Sequence, residues 1–127
     1  MTGLILSDDL VFVSRIAATA QAAGLVVRQA RTPAELIALA AKNPPPGVIL
    51  DLQNPGLDLP GLLTELRSVC PVMPRVTAYG SHVEADLLRS AREAGCDLVL
   101  PRSKFVKELD SQIAPWLTAP GVDRGSS

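Results

Sequence analysis

Short runs of apolar residues alternate along the chain with longer segments in which apolar residues recur every three or four positions. The short runs are typical of strands, and the longer segments are typical of helices that bury one face. The pattern predicts five strands, at 4–6, 25–28, 48–50, 75–79 and 98–100. The helices are predicted at 10–23, from 33 to 42, after Pro60, at 83–94, and from Ser103 to a frayed end near Pro115.

Glycine, proline and capping residues mark the ends of these helices. Gly24 and Gly95 end the first and fourth helices, because glycine tolerates the left-handed conformation that follows many helices. Thr32-Pro33-Ala34-Glu35 has the layout of a capping box, and Ser103 is predicted to cap the last helix.

Alternation of strands and helices with short connections predicts a parallel sheet wrapped by helices through right-handed crossovers. The expected fold class is α/β, a flavodoxin-like (βα)5 three-layer sandwich with strand order 2-1-3-4-5. The third strand supports it, because residues 48–50 are all apolar, as in strands covered on both faces.

Length and composition limit the classes of function. The chain has 127 residues, 47% hydrophobic and 20% charged, which predicts one globular domain at 1–117 and a disordered polar tail at 118–127. Twelve basic and thirteen acidic residues, with 3% aromatic residues, argue against nucleic-acid binding. No segment is apolar for long enough to span a membrane, so a cytoplasmic protein is expected. Cys70 and Cys96 lack metal-site spacing and are expected to be buried free thiols.

Acidic residues follow two strands that the predicted order makes neighbours. Asp8 and Asp9 come directly after the first strand, and Asp51 ends the third. Three carboxylates at one edge repel unless a cation lies between them, and Mg²⁺ prefers such oxygen ligands. The sequence therefore predicts a magnesium site. In the alternative interpretation, Asp8 or Asp9 only caps the first helix and Asp51 faces solvent.

A carboxylate beside Mg²⁺ can also accept a phosphoryl group. Over residues 4–116 the chain resembles the receiver domain of two-component response regulators, although as an atypical one. The resemblance rests on the acid pair Asp8-Asp9, on Asp51 with Pro55 four residues later, and on Ala94-Gly95-Cys96-Asp97 before the fifth strand.

The resemblance implies a phosphoacceptor and a set of metal ligands. Asp51 would take phosphate from a histidine kinase or a phosphotransfer protein. Asp9, Asp51 and the main-chain carbonyl of Gln53 would bind Mg²⁺, and Asp8 would reach the metal through water.

The resemblance also implies groups that bind the phosphate. Arg102 stands where receivers carry a lysine, and Lys104 is a second candidate for that cation. Receivers place a serine or threonine after the fourth strand. Spacing from Asp51 and Gly95 favours Ser81, with Thr77 as the alternative.

Two departures from the family pattern keep two functions open. Arginine is not equivalent to lysine, because its guanidinium is a wide planar fork, and Val99 replaces the aromatic residue that receivers use as a switch. The first prediction is a stand-alone receiver in phosphorelay signalling that binds an unidentified downstream protein. The alternative is a pseudo-receiver, a phosphorylation-independent interaction module.

Neither prediction makes the chain an enzyme. A phosphohydrolase would need a proton-transfer group two residues after Asp51, where Gln53 stands. The last helix indicates a monomer or a weak dimer, because its apolar stripe is expected to pack on the sheet.

Overall fold

The structure is a computed structural model that describes residues 2–118. Its five strands form one parallel sheet in the order β2-β1-β3-β4-β5, which confirms the predicted fold class and strand order. The strands are β1 (Thr2–Leu6), β2 (Val26–Ala30), β3 (Gly47–Asp51), β4 (Arg75–Gly80) and β5 (Leu98–Pro101).

Five helices alternate with these strands and cover both faces of the sheet. They are α1 (Leu10–Ala22), α2 (Pro33–Lys42), α3 (Leu59–Val69), α4 (Ala85–Ala94) and α5 (Arg102–Leu117). Helices α1 and α5 pack together on one face, and α2, α3 and α4 pack on the other. The result is the predicted three-layer sandwich. Within residues 2–118, no helix has the length and apolar character needed to cross a bilayer.

The predicted capping box at the start of α2 is present with a small shift. The Thr32 hydroxyl accepts a hydrogen bond from the Glu35 backbone N–H at 3.1 Å, and the Glu35 carboxylate accepts one from the Arg31 N–H at 2.7 Å. The glutamate therefore reaches one residue further back than the usual box. Gly95 follows α4 with φ of 112°, as a left-handed glycine cap should.

The predictions for α5 at both of its ends were wrong. Ser103 is not the cap: α5 begins at Arg102, Pro101 is its N-cap, and no side chain caps it. The helix also continues past Pro115 to Leu117. Proline removes one backbone donor, but the final turn buries Trp116 and Leu117 in the core beside the sheet, and the buried apolar surface offsets that loss.

The start of α4 also differs from the prediction, because the helix begins at Ala85 rather than at 83. A turn in which the Glu84 N–H donates to the Ser81 carbonyl at 3.0 Å precedes it. Val83 is 73% exposed in this turn, so its apolar side chain extended the sequence pattern without belonging to the buried face.

The two faces of the sheet have different cores. Phe12, Tyr79, Phe105 and Trp116 lie on the α1 and α5 side and form what we call the aromatic layer. Ring centroids in this layer are 4.6 Å apart for Tyr79 and Phe105 and 4.8 Å apart for Phe105 and Trp116. The opposite core, the aliphatic layer, consists of Leu, Val and Ala side chains with Cys70.

Other sequence predictions can now be compared with this architecture. Cys70 and Cys96 are free, as predicted, but only Cys70 is fully buried. The apolar stripe of α5 packs on the sheet, with Phe105 and Leu109 buried. The predicted tail lies, apart from Thr118, outside the described residues.

Candidate functional site

The carboxyl ends of β1 and β3 lie side by side, with Leu6 in register with Leu50. Ser7, the next residue after β1, is fully buried. Its hydroxyl donates to Asp51 Oδ2 at 2.9 Å and accepts a hydrogen bond from the Asp9 backbone N–H at 3.1 Å. One hydroxyl therefore ties the strand that ends at Asp51 to the loop that carries Asp9.

The Asp51 side chain is buried and partly satisfied. The residue is 8% exposed, and its Oδ1 accepts a hydrogen bond from the Gln53 N–H at 3.0 Å. Among residues 2–118, no basic side chain forms an ion pair with it. The interpretation in which Asp51 faces solvent is therefore wrong, and a buried carboxylate without a counter-charge favours binding of a cation.

Asp9 combines two roles at the start of α1. Its Oδ1 accepts a hydrogen bond from the Phe12 N–H at 3.0 Å, which caps the helix. Its Oδ2 accepts from the Arg102 guanidinium at 3.2 Å. The hydrogen bond from Phe12, followed by the bond from Arg102, lowers the pKa of Asp9 below its ordinary value of 3.8. Both oxygens of this carboxylate are thus engaged.

Arg102 reaches this carboxylate from the first residue of α5. Its guanidinium carbon lies 4.1 Å from the centroid of the Phe12 ring, within the range of a cation–π contact. An aromatic face and a carboxylate thus hold the charged group, although its side chain remains 45% exposed.

Sequence reasoning missed Tyr79, which lies next to Asp51 across the β3–β4 pairing. The ring contacts Phe12 and Phe105, and its hydroxyl makes no hydrogen bond to the described residues. Burial, followed by the negative charge of Asp51, strongly raises the pKa of this hydroxyl, and the nearby Ser7 hydroxyl acts in the opposite direction. One feature of the sequence could have indicated this residue: Tyr79 is the only tyrosine of the chain, and it lies near the end of the strand predicted next to β3.

The three predicted carboxylates are not equivalent in the structure. Asp8 is exposed, whereas the Ser7 hydroxyl bonds to the Asp51 carboxylate and to the Asp9 backbone N–H. Across residues 2–118, no three His, Cys, Asp or Glu residues form a group that could hold a metal. Mg²⁺ needs only one or two carboxylates, together with a carbonyl and waters. The oxygens of Asp9 and Asp51 fit such a cation in kind, so the magnesium site stays a prediction.

The two hydroxyl candidates for the phosphate lie at different depths. Ser81 follows β4 directly, and its N–H donates to the Gln53 side-chain oxygen at 2.9 Å, which joins it to the loop after Asp51. Thr77 pairs with Ile49, two residues before the end of β3. Ser81, which follows the end of β4, is therefore nearer to the carboxyl edge than Thr77. Thr77 is also fully buried.

The remaining candidates make no hydrogen bond or ion pair to Asp9 or Asp51 within residues 2–118. Lys104 faces Glu108 along α5, with 3.8 Å between its Nζ and a carboxylate oxygen. Val99 is 4% exposed and belongs to the aliphatic layer, so its side chain lies on the face of the sheet opposite Tyr79. An aliphatic side chain has no polar tip to exchange between the interior and the surface.

No protein-family model matches this chain, and no curated protein matches it either. Solved structures do. The receiver domain of the Francisella response regulator 1452 superimposes with a TM-score of 0.74 at 21% identity, over 91% of this chain and 94% of that one. The Saccharomyces cerevisiae Ssk1 receiver domain, solved with the histidine phosphotransfer protein Ypd1, gives 0.75 at 16% identity, over 91% and 88%.

The chain has the receiver fold. A third structure with this fold is a response regulator of Burkholderia pseudomallei that carries a phosphorylated aspartic acid, a calcium ion and citrate. It superimposes with a TM-score of 0.70 at 20% identity, over 90% of this chain and 69% of that one. In the receiver fold of the present chain, Ser7, Asp9, Asp51, Tyr79 and Arg102 form a cluster at the carboxyl edge of the sheet, and we call this cluster the acidic pocket.

Proposed function

We propose that this chain is a phosphorylation-controlled signalling module that accepts phosphate on Asp51. The observation that carries the proposal is a buried Asp51 carboxylate at the carboxyl edge of a receiver fold, without an ion-pair partner among residues 2–118. A carboxylate at this position is available as a nucleophile once its repulsion with an incoming phosphate is neutralised.

The proposed donor is the phosphohistidine of a histidine kinase or phosphotransfer protein. An Asp51 oxygen forms a bond to phosphorus, the bond from phosphorus to the histidine nitrogen breaks, and the leaving imidazole takes up a proton. Ser7 and the Gln53 N–H orient the carboxylate through their hydrogen bonds. The complex of the Ssk1 receiver with Ypd1 and the phosphorylated aspartate of the Burkholderia protein support this chemistry by analogy.

Mg²⁺ is the proposed cofactor, with Asp9, Asp51 and the Gln53 carbonyl as ligands and Asp8 bound through water. When bound, the metal neutralises charge on the phosphoryl oxygens during transfer. We assign the hydroxyl that meets the phosphate to Ser81, with Thr77 as the deeper alternative, and the cation to Arg102 rather than Lys104. The module would act on a downstream protein as a monomer or a weak dimer in the cytoplasm.

Phosphorylation can be tested directly with a small donor. The protein is incubated with acetyl phosphate and Mg²⁺, and its intact mass is measured. We expect one added phosphate, and we expect Asp51→Asn to remove it. Asp58→Asn is the matched control, because Asp58 is an exposed N-cap on α3 and asparagine also caps helices. An unmodified wild-type protein at every donor concentration would refute the proposal.

A pseudo-receiver is the second candidate, and specific observations favour it. Arg102 already pairs with Asp9, and Val99 has no means of switching. In this case the chain binds its partner without phosphate, and the surface of the receiver fold is permanently in one state. Equal binding of a partner by wild-type protein and by Asp51→Asn, together with no phosphate adduct, would favour this function.

A further inference from the structure

The acidic pocket contains two carboxylates, those of Asp9 and Asp51, and one basic side chain, that of Arg102. Asp9 and Asp51 meet through the Ser7 hydroxyl, which bonds to the Asp51 side chain and to the Asp9 backbone. Within residues 2–118, Arg102 is the only basic residue that forms an ion pair with either carboxylate. The charge balance of the pocket therefore depends on one guanidinium.

Two independent contacts hold that guanidinium. It bonds to Asp9 Oδ2 at 3.2 Å, and it stacks at 4.1 Å over the Phe12 ring. Phe12 is itself 6% exposed and packed against Tyr79 and Phe105, so the surface beneath the guanidinium is fixed. The ammonium group of a lysine has no planar face to stack on the ring. The guanidinium of an arginine also stays protonated, so its positive charge in the pocket is permanent.

The oxygen that Arg102 occupies is the one a metal would need. Asp9 Oδ1 accepts the hydrogen bond from the Phe12 N–H that caps α1, so Oδ2, which already bonds to Arg102, is the oxygen that would bind a metal. A divalent metal and a guanidinium that share one carboxylate oxygen repel each other. Binding of either one to Asp9 therefore weakens binding of the other.

The Tyr79 hydroxyl is a polar group of the pocket that lacks a hydrogen-bond partner among the described residues. This hydroxyl is buried and lies near Asp51 and Ser7. A buried hydroxyl without a partner is costly in free energy, and a metal-bound water is one group that could satisfy it. The pocket in its present state is thus neutralised at Asp9 and incomplete around Asp51.

We propose that Arg102 is the resident cation of the acidic pocket, and that a divalent metal binds Asp9 and Asp51 only by displacing this guanidinium from Asp9. The inference rests on the proposed metal site and adds its regulation. Metal affinity in this chain is set by competition with Arg102, and metal binding releases a guanidinium at the mouth of the pocket. The replacement of lysine by arginine is then what tunes the response to Mg²⁺.

The test is a calorimetric titration of the purified chain with Mg²⁺ alone, without a phosphodonor. Arg102→Ala and Arg102→Gln should each bind Mg²⁺ about three- to tenfold more tightly than the wild type, which corresponds to loss of a partly exposed ion pair and a cation–π contact. Arg89→Ala is the matched control, since it removes a guanidinium from another exposed ion pair, with Asp86 on α4. The control should leave the affinity within twofold of the wild type.

The outcomes separate this inference from the proposed function. Unchanged or weaker binding in both Arg102 variants, or no Mg²⁺ binding by any variant, overturns the competition. An equal gain in Arg89→Ala also overturns it, because net charge alone would then explain the effect. A chain that takes phosphate on Asp51 but shows no change on loss of Arg102 keeps the function and loses the inference. Tighter metal binding by the Arg102 variants, together with no phosphate adduct on the wild type, keeps the inference and refutes the proposed function.

Discussion

The two faces of the sheet are built from different side chains, and only one of them supports the acidic pocket. All the Phe, Tyr and Trp residues of the sequence lie in the aromatic layer between the sheet and helices α1 and α5. That layer contributes the Phe12 ring under Arg102 and the Tyr79 hydroxyl near Asp51. The aliphatic layer contains Val99 at the position of the switch residue, and this side chain is buried and apolar.

The difference separates two consequences of core packing in this fold. Both layers bury apolar surface and so stabilise the chain. The aromatic layer also contacts the polar groups of the pocket, because the Phe12 ring lies under Arg102 and Tyr79 pairs with Asp51 across the strands. Substitutions of similar cost to stability on the two faces should therefore have different effects on the pocket.

The largest effect is expected from Phe105→Ala, which empties the centre of the aromatic layer. Phe105 is fully buried and contacts Phe12, Tyr79 and Trp116. The loss should be about 3–5 kcal/mol in the free energy of unfolding, measured by urea denaturation. Mg²⁺ affinity should also change, because the Phe12 ring loses its support.

The matched control for this prediction is Leu63→Ala in the aliphatic layer, where Leu63 is also fully buried. It should cost about 2–5 kcal/mol with Mg²⁺ affinity unchanged in the folded protein. An equal change in metal affinity in both variants would mean that the two faces do not differ in their support of the pocket.

A smaller effect is expected from Ser7→Ala at the polar end of the aromatic layer. This change removes the hydroxyl that joins Asp51 to the Asp9 backbone and leaves two groups without a partner. The free energy of unfolding should fall by about 1–3 kcal/mol, and phosphate uptake by Asp51 should slow in the mass assay. Ser68→Ala on α3 is the control, since its exposed hydroxyl bonds only within its own helix. A loss below 0.5 kcal/mol, about the level of a neutral surface change, would contradict a structural role for Ser7.

The smallest effect is the pH dependence that Asp9 contributes. Because its pKa is lowered in the folded state, Asp9 stabilises the fold above the ordinary value of 3.8, and this stabilisation is lost as the pH falls through the lowered value. Thermal unfolding is measured in buffer that contains a metal chelator. From pH 3.8 towards more acidic pH, the melting temperature of Asp9→Asn should depend less on pH than that of the wild type. Asp8→Asn, at the exposed neighbour, should keep the wild-type slope. Parallel curves for Asp9→Asn and the wild type would show that the contacts of Asp9 do not contribute to stability.

The order of elements and the strand topology followed from the sequence because each strand and helix carries its own local signal. The apolar run at 48–50 and the cap at Thr32 are examples, and both lie where predicted. The ends of α5 could not be found in this way. Proline normally breaks a helix, but here the turn after Pro115 buries Trp116 and Leu117 in the core, a tertiary contact that has no local signal in the sequence.

The site was predictable to the extent that it follows strand ends. The Asp51 carboxylate and the Asp9 backbone share a bond to Ser7 because β1 and β3 are neighbours. The pairing of Arg102 with Asp9 joins residues 93 positions apart, and the role of Tyr79 depends on the register between β3 and β4. Neither distance nor register leaves a local trace in the sequence, and for that reason the counter-ion of Asp9 and the unpaired hydroxyl emerged only from the structure.

Trp116 has a practical consequence that its packing role conceals. It is the only tryptophan of the chain, and its indole stacks on Phe105, which in turn contacts the Phe12 ring beneath Arg102. Its intrinsic fluorescence therefore reports on the interior end of the ring stack without any label. A shift in its emission when Mg²⁺ or a phosphodonor is added would show that a change at the pocket alters the packing around Trp116.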